Sequence, residues 1–175
     1  MSLIISSYNW KEALKLSLLN ALYQTRPADE IIIADDGSRE DTRDLVYQIA
    51  SGATVPIYHI WQEDRGYRLA MIRNKAIVQA KGDYIIFIDG DIILDKDFIK
   101  DHQEAARDHF FSISPRVILT QSKTARVFKE EPFSFSPFEF GLKNRKNSVR
   151  SYFLSSLFSF QSLHLEGIRG SSFAF

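Results

Sequence analysis

The fold is decided by residues 85–94, which read Ile-Ile-Phe-Ile-Asp-Gly-Asp-Ile-Ile-Leu. The apolar residues leading into Asp89 and Asp91 are typical of a buried strand that reaches the surface at a charged site. Two ionised carboxylates beside a dry core are unfavourable unless a cation lies between them, and a hard divalent cation takes such oxygen ligands. Strand side chains alternate with a period of two, so both carboxylates can point the same way, and Gly90 leaves room for a ligand. The alternative is an ordinary Asp-Gly turn after a strand.

A second apolar run ends in the same way. Residues 31–38 read Ile-Ile-Ile-Ala-Asp-Asp-Gly-Ser. Strands that are apolar throughout are typical of parallel sheets whose two faces are covered by helices. Ligands of open α/β sheets bind outside the carboxyl ends of the strands. We therefore expect Asp35 and Asp36 at the same sheet edge as the first acidic pair, where the two turns can line one pocket.

Composition places the chain among ordinary globular proteins. Its 175 residues are 45% hydrophobic and 25% charged, which suits one domain with a substantial core. Lys plus Arg equals Asp plus Glu at 22 each, so we expect no nucleic-acid partner. The absence of cysteine excludes disulfides, thiolate metal sites and cysteine nucleophiles, and it fits a reducing compartment. No apolar run reaches the roughly 20 residues that span a bilayer.

Strands and helices are predicted to alternate in the first part of the chain. Ser38 is expected to cap the second helix, and Asp95 or Asp97 the fourth. The order predicts a mainly parallel α/β sheet in which strand 84–88 is central. A later strand at 111–119 contains Ser114-Pro115 and is expected to lie at an edge or to be bulged. The remaining predicted strands are 4–6, 30–34 and 56–61, and the helices are 10–23, 41–51, 68–80 and one that ends at about 108.

After residue 125 the sequence changes in character. Eight of the 14 phenylalanines lie between Phe128 and Phe160, and helical spacing returns only at about residues 148–163. Three interpretations stay open: the segment packs back on the sheet and completes the site, it supplies core aromatics and a solvated basic loop, or it contacts a membrane surface. The basic residues of this segment are Lys143, Arg145, Lys146 and Arg150.

Several motifs then occur in a fixed order: residues 4–9, 32–38, 65–74, 80–84 and 88–91. With them the chain resembles the family 2 glycosyltransferases, which transfer sugars from nucleotide diphospho-sugars and have the GT-A fold, a Rossmann-like, mainly parallel sheet flanked by helices. Residues 88–91 are similar to the family's DXD motif. Arg65-Gly66-Tyr67-Arg68 is most similar to the branch of galactosyltransferases and chondroitin polymerases, and residues 169–175 resemble its glycine-led strand.

The resemblance implies a role for each matching residue. Asp91 would bind Mn²⁺ or Mg²⁺ directly, and Asp89 would bind the donor ribose and contact the metal through water. Asp35 or Asp36 would hold the edge of the nucleobase. The four histidines match no metal-ligand position and are expected in packing or surface roles. Three further donor-binding residues, Ser7, Tyr8 and Asn9, would pack against the base. Arg73 would reach the base or the diphosphate, or would instead form a salt bridge to an aspartate. Arg68 would reach the diphosphate, or would instead lie at a solvated helix start.

The resemblance also implies a function and a domain plan. The function is metal-dependent, inverting sugar transfer from a nucleotide sugar, with UDP favoured, to a glycan or lipid-linked acceptor. The alternative is a nucleotide-sugar-binding domain without catalysis. Residues 1–175 would form one domain, with 1–120 as the donor half and 121–175 as part of the acceptor side. No residue matches the family's catalytic base, which therefore stays unassigned, and we expect a longer native protein, in the cytoplasm or peripheral at the inner face of the membrane.

Overall fold

The structure is a computed structural model that describes residues 1–130, 136, 139–144 and 172–175. Within these residues, six strands form one sheet and two form a small ribbon. The strands are β1 (Ser2–Ser7), β2 (Glu30–Asp35), β3 (Ile57–Trp61), β4 (Ile85–Asp89), β5 (Ser112–Ile113), β6 (Ile118–Leu119), β7 (Leu142–Lys143) and β8 (Ser172–Ala174). The helices are α1 (Lys11–Leu22), α2 (Glu40–Ser51), α3 (Leu69–Gln79), α4 (Phe98–Ala105) and α5 (Gln121–Glu130).

The main sheet has the strand order β3-β2-β1-β4-β8-β5. The first four of these strands are mutually parallel, whereas β8 is antiparallel to both β4 and β5. The predicted α/β class, the mainly parallel sheet, the central position of β4 and the edge position of β5 are confirmed.

Both faces of the sheet are covered, as the uniformly apolar strands predicted. Leu3 and Ile5 of β1 pack into a cluster with apolar residues of α1, α2 and α4. Ile4, which points to the other face, packs with Ile72 and Ala76 of α3. This alternation explains why β1 and β2 are buried at every position.

The strand register brings the acidic turns together. Ser7 of β1 pairs with Asp35 of β2, and Ser6 pairs with Asp89 of β4. Because β1 lies between the other two strands, their carboxyl ends meet at one edge of the sheet, as expected for a site in an open α/β fold.

Three local features differ from the sequence predictions. The N-cap residue of α2 is Arg39, so the prediction that Ser38 caps this helix is wrong. The Ser38 hydroxyl accepts a hydrogen bond from the Asn9 N–H instead. The strand predicted at 111–119 is two short strands in different sheets, split around Ser114-Pro115. Helix α5 was not predicted, because only Lys123 and Val127 of it are buried.

Some predictions concern residues outside those described. They are the helix at about 148–163, the basic residues Arg145, Lys146 and Arg150, His164, and residues 169–171 of the glycine-led segment. Within the described part of the chain, no helix is long and apolar enough to cross a membrane.

Candidate functional site

A cleft of about 330 Å³ opens at the carboxyl ends of β1, β2 and β4. Both acidic turns reach it, so the expectation that they line one pocket is confirmed. A cleft of this volume is in the range of small-ligand sites. The described residues that line it are Ser6, Ser7, Tyr8, Trp10, Asp36, Gly66, Tyr67, Leu69, Asp89, Gly90 and Asp91.

The turn after β4 is shaped by its contact with β1. The Gly90 N–H donates a hydrogen bond to the Ser6 carbonyl oxygen at 2.7 Å, and the Ile92 N–H donates to the Asp89 carbonyl oxygen at 3.1 Å. A Cβ at position 90 would lie 2.8 Å from the Ser6 oxygen. Gly90 therefore lines the cleft, but the group that approaches it most closely is the backbone of β1.

Arg73 of α3 contacts one carboxylate of this turn. Its guanidinium donates to Asp89 Oδ1 at 2.8 Å and to Ser6 Oγ at 2.9 Å. It also lies over the rings of Phe87 and Phe173, at 5.6 and 5.7 Å from their centroids. The salt bridge is the second of the two roles predicted for Arg73.

Charge repulsion acts within the turn after β4. Burial raises the pKa of Asp89 above its ordinary value; the Arg73 guanidinium opposes this rise, and the Asp91 carboxylate adds to it. Asp91 itself is exposed. The Arg116 guanidinium also opposes the rise. The Asp91 carboxylate still repels the Asp89 carboxylate within this turn, and a cation bound between them would relieve that repulsion.

The carboxylate oxygens of Asp89 and Asp91 suit a metal ion that arrives together with a bound ligand. Among the described residues, no group of three or more His, Cys, Asp or Glu side chains could enclose a metal. Mg²⁺ commonly binds through one or two carboxylates together with substrate phosphates and water, and Mn²⁺ accepts the same oxygen ligands. Asp89 and Asp91 provide that partial set.

The two aspartates of the turn after β2 have different surroundings. Asp35 is fully buried: its Oδ1 accepts from the N–H groups of Gly37 and Ser38 at 3.2 and 2.7 Å, and its Oδ2 lies 2.9 Å from His59 Nε2. Asp35 thus shapes the turn without lining the cleft. Asp36 lines the cleft, although its side chain is also almost fully buried.

Contacts from the β3–α3 connection hold Asp36. Its Oδ1 accepts from Gln62 Nε2 at 2.5 Å, and its Oδ2 accepts from the Arg68 N–H at 2.8 Å. Gly37, next in the chain, has φ +106°, and a Cβ there would lie 2.7 Å from Asp64. The turn can therefore pack against this connection only with glycine at position 37.

The loop after β1 supplies part of the cleft wall. Ser7 and Tyr8 line it; the Tyr8 side chain is about half exposed, and its hydroxyl donates to Asp64 Oδ2 at 2.9 Å. Asn9, at φ 47°, accepts from the Arg39 N–H at 3.2 Å and so supports the loop from outside the lining residues.

The predicted role of Arg68 at the diphosphate has no support from its position. Its guanidinium donates to the Glu63 carbonyl oxygen, and its side chain is not part of the described cleft wall. The backbone N–H of Arg68 reaches the site instead, through Asp36.

Sequence reasoning did not assign several residues of the site. Trp10, Tyr67 and Leu69 line the cleft, and Tyr67 is 88% exposed. Two of them had a signal in the sequence: Tyr67 is an aromatic residue directly after Gly66, and Trp10 is an aromatic residue after the loop that follows the first predicted strand. Leu69 had only its helical spacing. His59 of β3 and Gln62, the residue after β3, hold the acidic turn through contacts that depend on tertiary structure.

Comparisons with known proteins agree with this architecture. The sequence model described as "Glycosyl transferase family 2" matches residues 2–164. Chondroitin synthase of Escherichia coli is 31% identical over 126 residues, which are 70% of this chain and 18% of that protein. Poly-beta-1,6-N-acetyl-D-glucosamine synthase of Staphylococcus aureus is 35% identical over 97 residues, 55% of this chain and 23% of that protein. The matches thus span less than a quarter of either relative.

A solved structure shows the same fold. The mannosyltransferase of Pyrobaculum calidifontis, determined in complex with GDP-Man and Mn²⁺, superposes with a TM-score of 0.55 at 21% identity, covering 74% of this chain and 37% of that one. At this identity the likeness concerns the fold alone.

Proposed function

The chain belongs to glycosyl transferase family 2, and from that premise we propose that it transfers a sugar from a nucleotide sugar, with UDP as the nucleotide, in a metal-dependent, inverting reaction. The observation that carries the proposal is that Asp36, Asp89 and Asp91 line the same cleft. After β2, Asp36 offers a hydrogen-bond acceptor in a cleft that exposed aromatic rings also line. After β4, Asp89 and Asp91 offer two carboxylates. A nucleoside diphosphate with a divalent ion has the complementary parts.

The residues present would hold each part of the donor. Asp36 would accept a hydrogen bond from the nucleobase, and Tyr8 with Ser7 would pack against the ring. Asp91, with Asp89, would hold Mn²⁺ or Mg²⁺ against the two phosphates. A divalent ion at that place neutralises charge that develops on the departing nucleoside diphosphate. Arg73 keeps Asp89 in place through its hydrogen bond at 2.8 Å.

The proposal extends to the acceptor and to the location of the protein. The names of the two curated relatives describe polysaccharide synthases, which supports a glycan or lipid-linked acceptor. We assign the donor site to residues 1–120 and part of the acceptor side to 121–175. The lack of cysteine fits a cytoplasmic location, in solution or peripheral at the inner membrane face.

Calorimetric titration of UDP tests the proposal. The wild-type protein is expected to bind UDP with Mn²⁺ present, and binding should weaken at least about tenfold with a chelator or in Asp91→Ala. Asp83→Ala is the matched control, because Asp83 is exposed and precedes β4 at the end of the strand away from the cleft. Equal UDP binding with metal and with chelator, or unchanged binding in Asp91→Ala, would contradict the proposal.

A further inference from the structure

Asp36 is held in an unusual way for a ligand-binding carboxylate. It lines the cleft, yet only 4% of it is exposed, and each of its oxygens already accepts one hydrogen bond from the protein. An ionised carboxylate oxygen can accept a second hydrogen bond. Asp36 can therefore receive a ligand donor while it stays fixed by Gln62 and by the Arg68 N–H.

Gln62 makes this contact although one of its own polar atoms then lacks a hydrogen bond among the described residues. It is 4% exposed, and its own N–H donates to the Asp35 carbonyl oxygen at 3.2 Å, which ties its backbone to the same turn. Because ionised Asp36 only accepts, the Gln62 NH₂ group must face it. The amide oxygen Oε1 is then buried without a hydrogen-bond partner among the described residues. A buried acceptor without a partner is destabilising, and such groups call for an explanation.

The neighbouring residues of β3 act on the same turn. His59 Nε2 lies 2.9 Å from Asp35 Oδ2, and the Trp61 indole N–H donates to the Ser38 carbonyl oxygen at 3.0 Å. His59 and Trp61 of β3 and Gln62 directly after it thus hold the acidic turn along its length. Of these three residues, Gln62 is the one that contacts Asp36, the aspartate that lines the cleft.

We propose that Gln62 is a positioning residue that fixes the Asp36 carboxylate so that the site selects a nucleobase with a ring N–H donor. This inference rests on the proposed function. Uracil carries an N–H at ring position 3, which can donate to the carboxylate. Cytosine carries a lone pair at the same atom, and two acceptors facing each other are unfavourable. A fixed carboxylate rejects cytosine, whereas one that can rotate away loses this discrimination.

The test is the ratio of dissociation constants for CDP and UDP, measured with Mn²⁺ by calorimetry. Wild type is expected to favour UDP, and Gln62→Met, which keeps the length but not the amide, should reduce this preference about tenfold. The Mn²⁺-dependent gain in UDP affinity should stay unchanged, because the carboxylates after β4 are not altered. Gln48→Met, on the exposed side of α2, is the matched control and should retain the wild-type ratio.

A double-mutant cycle separates positioning from general damage to the fold. In an Asp36→Ala background, Gln62→Met should have no further effect on the CDP to UDP ratio, because Gln62 acts through the carboxylate. If Gln62→Met does not fold, Gln62→Asn keeps an amide that is one methylene too short, and the same loss of preference is expected.

The outcomes distinguish the two claims. A wild type that binds neither nucleotide with Mn²⁺ would overturn the proposed function, and the inference with it. A wild type that prefers UDP, with folded Gln62 variants that keep the full preference, would overturn the inference alone.

Discussion

Replacing Arg73 with methionine removes the guanidinium that contacts Asp89 while keeping an unbranched side chain over the rings of Phe87 and Phe173. Arg73 donates hydrogen bonds to Asp89 at 2.8 Å and to Ser6 at 2.9 Å. A hydrogen bond to a charged group contributes about 1.5–3 kcal/mol. Since the Asp89 side chain is 35% exposed, solvent screens part of this interaction. We therefore expect a loss of about 2 kcal/mol in the free energy of unfolding near neutral pH.

The loss should depend on pH in a defined direction. Burial raises the pKa of Asp89 in the folded protein above its ordinary 3.8, and without Arg73 it rises further. The folded state then binds a proton more readily than the unfolded chain, so the stability contributed by Asp89 falls as pH rises from about 3.8 through the raised pKa. The difference between Arg73→Met and wild type should therefore be smaller at about pH 4.5 than near neutral pH.

Urea unfolding followed by circular dichroism measures both quantities. Arg65→Met is the matched control, because Arg65 pairs with Glu63 at 2.7 Å but both side chains are mostly exposed. It should change the free energy of unfolding by less than about 0.5 kcal/mol. Equal losses in the two variants, or a loss in Arg73→Met that is independent of pH, would refute the reasoning.

Two further predictions concern the stability of the fold, one at the site and one away from it. Gly90→Ala places a Cβ 2.8 Å from the Ser6 carbonyl oxygen, and we expect it to lower the free energy of unfolding, measured in urea, by about 1–3 kcal/mol. Gly52→Ala is the control, because the space around Gly52 is open, and it should change the free energy of unfolding by less than about 0.5 kcal/mol. Equal losses in the two variants would contradict the steric explanation. Burial lowers the pKa of His102 from 6.5 to about 4, so its contribution to stability is complete above about pH 6.5 and is lost as pH falls toward 4. His102→Gln should flatten that part of the pH–stability curve by about 2–3 kcal/mol, and His109→Gln, at an exposed position, should not; an unchanged slope in His102→Gln would show the account of this residue to be wrong.

The centre of the sheet could be predicted because strands β2 and β4 are apolar at every interior position. Runs such as Ile31–Ile33 and Ile85–Ile88 are apolar on both faces, and only a strand covered from both sides buries every position. Helix α5 lacks such a signal, since it buries Lys123 and Val127 and exposes most of the rest. Its packing on α1 is a tertiary effect that periodicity does not reveal.

The candidate site was predictable in its residue types but less so in their roles. The two acidic turns pointed to one sheet edge, and the strand register places them there. Which of Asp35 and Asp36 reaches the cleft depends on the turn conformation, which glycine at φ +106° and the buried His59 contact determine. Gln62 gave no sequence signal, because its importance comes from a single contact across the fold.

The central claim is that the cleft binds a nucleotide and a divalent metal ion together through Asp91. Electron paramagnetic resonance of Mn²⁺ tests it most directly, because the signal of the free ion falls when the ion binds to protein. The account predicts weak uptake of Mn²⁺ by the protein alone, strong uptake when UDP is added, and loss of that increase in Asp91→Ala but not in Asp83→Ala. Uptake of Mn²⁺ that is the same with and without UDP, or the same in Asp91→Ala as in wild type, would contradict it.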